Sequence, residues 1–137
     1  MTQINAYLHF NGNCREAMAF YQECLGGELT LQTVGESPMA RQMTAEAQKS
    51  ILHGSLTSGG ITLMASDMVG PEGINRGNNI SLSLVCSSKA EIEAFYSRLS
   101  AGGKAVHPLN EAFFGLHGDL MDRYGVHRML TYEKPKA

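Results

Sequence analysis

Cysteine is scarce in this chain and poorly arranged for bridging. Its three thiols, Cys14, Cys24 and Cys86, are odd in number and show no CxxC spacing. That pattern fits reduced thiols rather than a disulfide framework. Positive charge is scarce too: 11 Lys and Arg stand against 13 Asp and Glu, for a net charge of −2. A phosphate backbone needs a basic surface, so nucleic acid is not an expected partner. No apolar run is long enough to span a bilayer. The first residues lack the basic-then-apolar start of a secretory signal, and a cytoplasmic location is the expectation. There is no Ser-His-Asp order, phosphate loop or HExxH, which leaves nucleophilic hydrolysis, nucleotide binding and zinc proteolysis without support.

What the chain does have is a repeat. Ala17, Phe20, Tyr21 and Cys24 are spaced along one predicted helix as Ile92, Phe95, Tyr96 and Leu99 are along another. Each helix follows a short apolar strand (6–10 and 80–85) and runs into a glycine pair, Gly26-Gly27 or Gly102-Gly103. Further on, Leu52-His53-Gly54-Ser55-Leu56 is echoed by Leu116-His117-Gly118-Asp119-Leu120 at a shorter offset. The first copy is therefore longer in its middle, where the polar stretch 35–50 lies. Self-similarity of this kind fixes architecture before any local reading does.

The elements follow from periodicity and punctuation. Module one reads as strand 5–10, a helix capped by Asn13 and reaching Leu25, strand 28–34, and strands 50–57 and 61–66 joined by Ser58-Gly59-Gly60. The 35–50 insertion, with a short helix at 44–49, is a candidate flap. Module two reads as strand 80–85, a helix capped at Ser87 or Ser88 and reaching Leu99, a short strand at 105–107, a loop through Phe113-Phe114-Gly115, and strands 116–121 and 126–132. The fold class is α+β: a single domain over 1–137, built of two tandem βαβββ modules (1–68 and 79–133, linker 69–78) that form curved mixed sheets. Each half alone is small for a stable core.

Several stretches resemble one family. Tyr7-Leu8-His9-Phe10-Asn11-Gly12-Asn13-Cys14-Arg15-Glu16-Ala17, then Phe20-Tyr21 and Leu25-Gly26-Gly27, resemble the opening of the PhnB-like branch of the vicinal oxygen chelate superfamily (glyoxalase, bleomycin resistance, dioxygenase). Leu63-Met64-Ala65-Ser66-Asp67, Phe114-Gly115 and Asp122-Arg123-Tyr124-Gly125-Val126-His127 are similar to that branch as well. The resemblance implies paired modules, a homodimer, and a cup in which first-strand and last-strand residues hold a divalent metal. Carried over, those metal positions fall near Ala6 and Ser81 (Asn79 or Ser83 if the register slips) and at Met64 and Met129. Alanine, serine and thioether are poor ligands for a hard ion, so neither metal nor cofactor is expected there. A metal at a non-standard site through His53 and His117 would need Asp119 or His127 as a third ligand.

Strand parity then nominates the lining of the cup. Leu52 and Leu56, like Leu116 and Leu120, should face the helices, which turns His53 and Ser55, with His117 and Asp119, the other way. On the last strands Met64 and Ser66, and His127, Met129 and Thr131, should face the same side. Leu82 and Leu84 suggest that Ser81 and Ser83 look inward, with Ala6 and Leu8 opposite them, while His9 shares parity with Tyr7 and reads as a structural histidine against the helix layer. His107, before Pro108, reads as exposed. The ligand-binding candidates are His53, Ser55, Met64, Ser66, Ser81 and Ser83, then His117 and Met129, with Phe113 and Phe114 near one mouth. No catalytic residue stands out. The expected function is small-molecule binding without the usual metal; the alternative is an enzyme of unidentified reaction that uses cup histidines. The plainer reading of the two imidazoles is remnants of duplication, and of the methionines core filler.

Overall fold

The computed structural model describes residues 2–135. Strands β1 (Ala6–His9), β2 (Glu28–Thr33), β3 (Ile51–Ser58) and β4 (Ile61–Ser66) and helix α1 (Cys14–Leu25) build one compact unit, which ends at Asn75. Strands β5 (Leu82–Val85), β6 (Lys104–Ala112), β7 (Gly115–Met121) and β8 (His127–Glu133) and helix α2 (Lys89–Ser100) build the other. The two sheets repeat one topology, β1-β4-β3-β2 and β5-β8-β7-β6. In each the first strand runs parallel to the last and the remaining pairs are antiparallel. That is the βαβββ pattern twice over, as the repeat implies.

Each helix covers one face of its own sheet. On α1 the residues Cys14, Ala17, Met18, Tyr21 and Cys24 recur at helical spacing and are buried, an apolar stripe of the kind that drives such packing. They meet Leu56, Leu63 and Ala65, also buried. Gly26 ends α1 at φ 76°, a left-handed conformation that glycine adopts without steric cost. In the second unit Ile92, Tyr96 and Leu99 of α2 are buried along with Leu116, Leu120 and Leu130.

The two helix starts are capped differently. Ser88 caps α2 as expected: its hydroxyl accepts from the Glu91 amide at 3.1 Å, and the Glu91 carboxylate accepts from the Ser87 amide at 2.9 Å. Replacing Ser88 by alanine should cost about 1 kcal/mol, measurable by urea unfolding. Asn13 occupies the cap position of α1, but its side chain makes no capping bond. Asp67 does that work from the end of β4, its Oδ1 accepting from the amides of Gly12 (2.8 Å) and Cys14 (3.0 Å).

Three local expectations need correction. The short helix expected at 44–49 is a single 3-10 turn, Ala47–Lys49, preceded by two more at Val34–Glu36 and Pro38–Gln42. The 35–50 insertion is tied down by Val34 N–H to the Ser50 carbonyl (2.9 Å) and by the Gln48 amide donating to the Ala40 carbonyl (2.7 Å). The short strand at 105–107 extends over Lys104–Ala112, with register irregularities on both sides of His107. Leu52 is the extra residue of a bulge, since Gln32 pairs with His53 and Thr33 with Ile51. It is half-buried, and the buried place falls to Ile51.

Candidate functional site

The side of each sheet that carries no helix holds the candidate residues. In the first sheet, register aligns Tyr7 with Met64 and Met64 with Ser55, and in the next row His9 with Ser66. The opposite parity, Leu56, Leu63 and Ala65, is buried beneath α1. His53, Ser55 and Met64 are half-buried on the open side. Ser66 shares their parity but is buried, and its hydroxyl accepts from the Met68 amide at 2.8 Å, so it has little left to offer a ligand.

The first strand corrects the parity reading. Tyr7 and His9, expected against the helix layer, are exposed on the open side, and Ala6 and Leu8 take the more buried parity. Tyr7 Oη lies 3.1 Å from His53 Nδ1. The Tyr7 ring stands 5.3 Å from the His9 ring and 5.8 Å from that of His53. The phenol donates when His53 carries its proton on Nε2, which leaves that N–H directed away from Tyr7. Three ring side chains thus form one cluster, 40% of Tyr7 remaining exposed.

In the second sheet the open side aligns Ser83 with Met129, Met129 with Asp119 and Asp119 with His107. The adjacent row joins Thr131, His117 and Asn110. His117, Asp119 and Met129 are half-buried and Ser83 exposed. Ser81 is exposed and precedes β5. Phe113 and Phe114 form a two-residue turn between β6 and β7, since Ala112 pairs with Gly115. Their rings meet edge-on at 5.4 Å, and Phe114 lies 6.5 Å from His117, whereas Phe113 is 99% exposed. Only Phe114 belongs with the histidine.

His107 is exposed, as expected, yet it is not idle. Its Nδ1 lies 2.7 Å from Asp119 Oδ1. On the helix side of the same sheet, Arg128 is buried at 1% exposure with its Nε 3.3 Å from Asp122 Oδ2. Neither pair follows from the sequence, because both depend on register across strands.

The residues at the metal positions do not fit a divalent ion. Ala6 takes the buried parity, and the open-side residues on the first and last strands are Tyr7 and His9 against Met64 and Ser66, then Ser83 against Met129. A phenol, one imidazole, hydroxyls and thioethers are a weak set for a hard cation. Among the described residues no three His, Cys, Asp or Glu side chains are grouped to hold a metal.

Cys14, Cys24 and Cys86 are all buried. Burial, then the Asp67 charge, pushes the Cys14 thiol up to about 12, and burial, then Glu91, pushes Cys86 up to about 11. Both remain neutral at pH 8, so iodoacetamide should label them far more slowly in the folded protein than in urea; peptide mass spectrometry reads the difference. A thiol whose folded value lies above its unfolded value of 9.0 favours folding most below pH 9. That contribution should fade as pH rises from 9 toward 11–12.

Two shallow depressions lie in the first unit. One, of about 450 Å³, is lined by Gly12, Thr44, Glu46, Ala47, Lys49 and Ser50; the other, of about 350 Å³, lies beside Gln3–Ala6, Gly60 and Thr62. Neither includes a side chain nominated for ligand binding.

Comparison with known proteins decides the family. Residues 2–131 match the model of the family described as 3-demethylubiquinone-9 3-methyltransferase. The chain belongs to this family. It is 30% identical to Protein YjdN of Escherichia coli (strain K12), over 96% of this chain and 95% of that protein. Among solved structures, protein PA1353 from Pseudomonas aeruginosa superposes with a TM-score of 0.85 at 38% identity, covering 98% of this chain and 100% of that one. A Bacillus cereus protein described as a putative 3-demethylubiquinone-9 3-methyltransferase, PhnB protein, gives 0.73 at 24% identity, with 96% and 99% covered. A glyoxylase/bleomycin resistance protein/dioxygenase domain from Frankia sp. EAN1pec gives 0.64 at 17%, with 100% and 96% covered. This family member therefore has the glyoxalase/bleomycin-resistance fold and is PhnB-like, as the sequence motifs imply. No helix among the described residues is long and apolar enough to cross a membrane.

Proposed function

We propose that this protein binds a small molecule on the helix-free side of its sheets, without the superfamily's usual metal. The observation that carries the reading is the Tyr7–His53 hydrogen bond on an open sheet face beside the thioether of Met64. A polarised phenol–imidazole pair over an apolar floor is a common make-up of a ligand site: apolar surface gives affinity and a few polar groups fix orientation. The second sheet offers a related surface in His117, Met129 and Ser83 with the Phe114 ring beside the histidine. The ligand suited to both is a small aromatic or partly apolar compound bearing oxygen acceptors.

The methyl transfer in the family description finds less support. A cofactor with an anionic group is commonly held by the free amides at a glycine-bearing strand-to-helix turn. Here the amides of Gly12 and Cys14 at that turn are already bonded to Asp67.

Isothermal titration with catechol and with benzoate tests the binding reading. Saturable binding is expected, weakened about tenfold in His53→Gln, the equivalent of one hydrogen bond at ~1.4 kcal/mol, and abolished in Met64→Trp, which fills the floor. Absence of binding by either probe, or equal binding in both variants, would overturn it.

Assembly as a homodimer is part of the same proposal. The first-strand edges expose Ile4 near β1 and Ile80 and Val85 near β5, and an apolar strand edge left open invites a second chain. Sedimentation at micromolar concentration should give a dimer; a monomer would remove this part and leave the binding reading intact.

A further inference from the structure

We propose that His107 and Asp119 form a general-base dyad, in which His107 Nε2 removes a proton from a small carbon acid held on the open side of the second sheet. Asp119 Oδ1 sits 2.7 Å from His107 Nδ1. A carboxylate there fixes the proton on Nδ1, leaves the Nε2 lone pair free, and stabilises the imidazolium once a proton arrives. Asp119 is the more buried partner, its side chain 29% exposed against 70% for His107, so the carboxylate is anchored while the reactive nitrogen stays accessible.

The backbone around the pair is built to hold it. Register irregularities flank His107 on both sides, and such bulges re-aim a side chain that a regular strand would direct elsewhere. Behind the sheet, Tyr96 of α2 places its hydroxyl 3.0 Å from the carbonyl oxygens of both His107 and Asp119, locking the two strands together at this point. Burial, then the Asp119 charge, raises the Tyr96 phenol, which keeps it a donor. Gly118 leaves room for the re-aimed strand: a Cβ there would stand 3.1 Å from the His107 carbonyl and 3.0 Å from Leu109 Cδ2.

The step needs no co-reactant. The C–H proton passes to Nε2, its electron pair is delocalised into an electron-withdrawing group of the substrate itself, and return of the proton from Nε2 restores the base. The activity goes beyond binding and does not depend on the Tyr7–His53 surface.

The test uses the whole protein and 5-nitrobenzisoxazole. Removal of its ring C–H proton by a base sends the electron pair into a nitrile as the N–O bond breaks to a coloured phenolate. The wild type should accelerate this elimination roughly a hundredfold over free imidazole at equal concentration, within the ordinary range of general-base effects. His107→Gln should lose that gain and Asp119→Asn at least tenfold of it, with Asp119→Glu recovering part. Long-range 15N NMR of His107 should show the proton on Nδ1 in the wild type and in Asp119→Glu, and on Nε2 in Asp119→Asn; a structural role alone would not move the rate and the tautomer together. A rate in His107→Gln equal to the wild type, no acceleration by the wild type, or a wild-type Nε2–H tautomer would each overturn the proposal.

Discussion

Replacing Asp67 by alanine is expected to destabilise the first unit by about 4 kcal/mol. One carboxylate serves three backbone donors: Oδ1 accepts from Gly12 and Cys14, and Oδ2 from Ile51 at 2.9 Å. Hydrogen bonds to a charged acceptor contribute roughly 1.5–3 kcal/mol each, and a buried amide left without an acceptor carries the full desolvation cost. Water can replace the acceptor at the part-buried Gly12 amide, which keeps the total below the sum of three. Asp67 also returns its own amide to the Ile51 carbonyl at 2.8 Å, so the end of β4, the start of β3 and the start of α1 meet in one side chain. Asp67→Asn retains the Oδ1 contacts and loses the acceptor at Ile51, and should cost about half as much. Urea unfolding of the two variants checks both the size and the ratio.

The second large effect is expected at the pair beneath the other sheet. Asp122 Oδ1 accepts from the amides of Tyr124 (2.9 Å) and Val126 (3.2 Å), while its Oδ2 faces Arg128 Nε at 3.3 Å. Arg128 lies in the row of Leu82 and Leu120 on the helix side. Asp122→Ala removes the carboxylate 3.3 Å from a guanidinium buried in that apolar row, and about 3–5 kcal/mol should be lost. Arg128→Met leaves Asp122 with its backbone donors and should cost less. The double variant should be more stable than Asp122→Ala alone, because the buried charge is gone. That reversal, measured by thermal unfolding, separates charge burial from loss of the turn at 122–126.

The architecture was legible in the sequence because duplication supplied two copies of every signal. The helix stripes, the glycine pairs and the His-Gly alternation on β3 and β7 each agree between copies, and the sides assigned to His53, Ser55, Met64, His117 and Met129 agree with the burial of their neighbours. Parity fails on β1 for a physical reason. That strand has four residues, and Tyr7 and Leu8 both read as apolar, so the period-two signal is ambiguous. Only the parallel partner resolves it, by seating Tyr7 beside Met64. On β6 the alternation is absent because nearly the whole edge strand is exposed, and bulges shift the count, so His107 gives no hint of its distance from Asp119. Asp67 stands in a motif that resembles the family, but its capping of α1 and its bond to Ile51 are not legible there. Its role is set by two elements that precede it in the chain and meet it only in space.

Methionine methyl NMR tests the central claim, that the open side of each sheet is the ligand surface. With the methionine methyls labelled and catechol titrated in, the Met64 and Met129 resonances should both shift with saturation. The resonance of Met18, fully buried on α1, should stay still. Shifts at Met18 without Met64, or at Met39 and Met43 of the 35–50 insertion alone, would contradict the account.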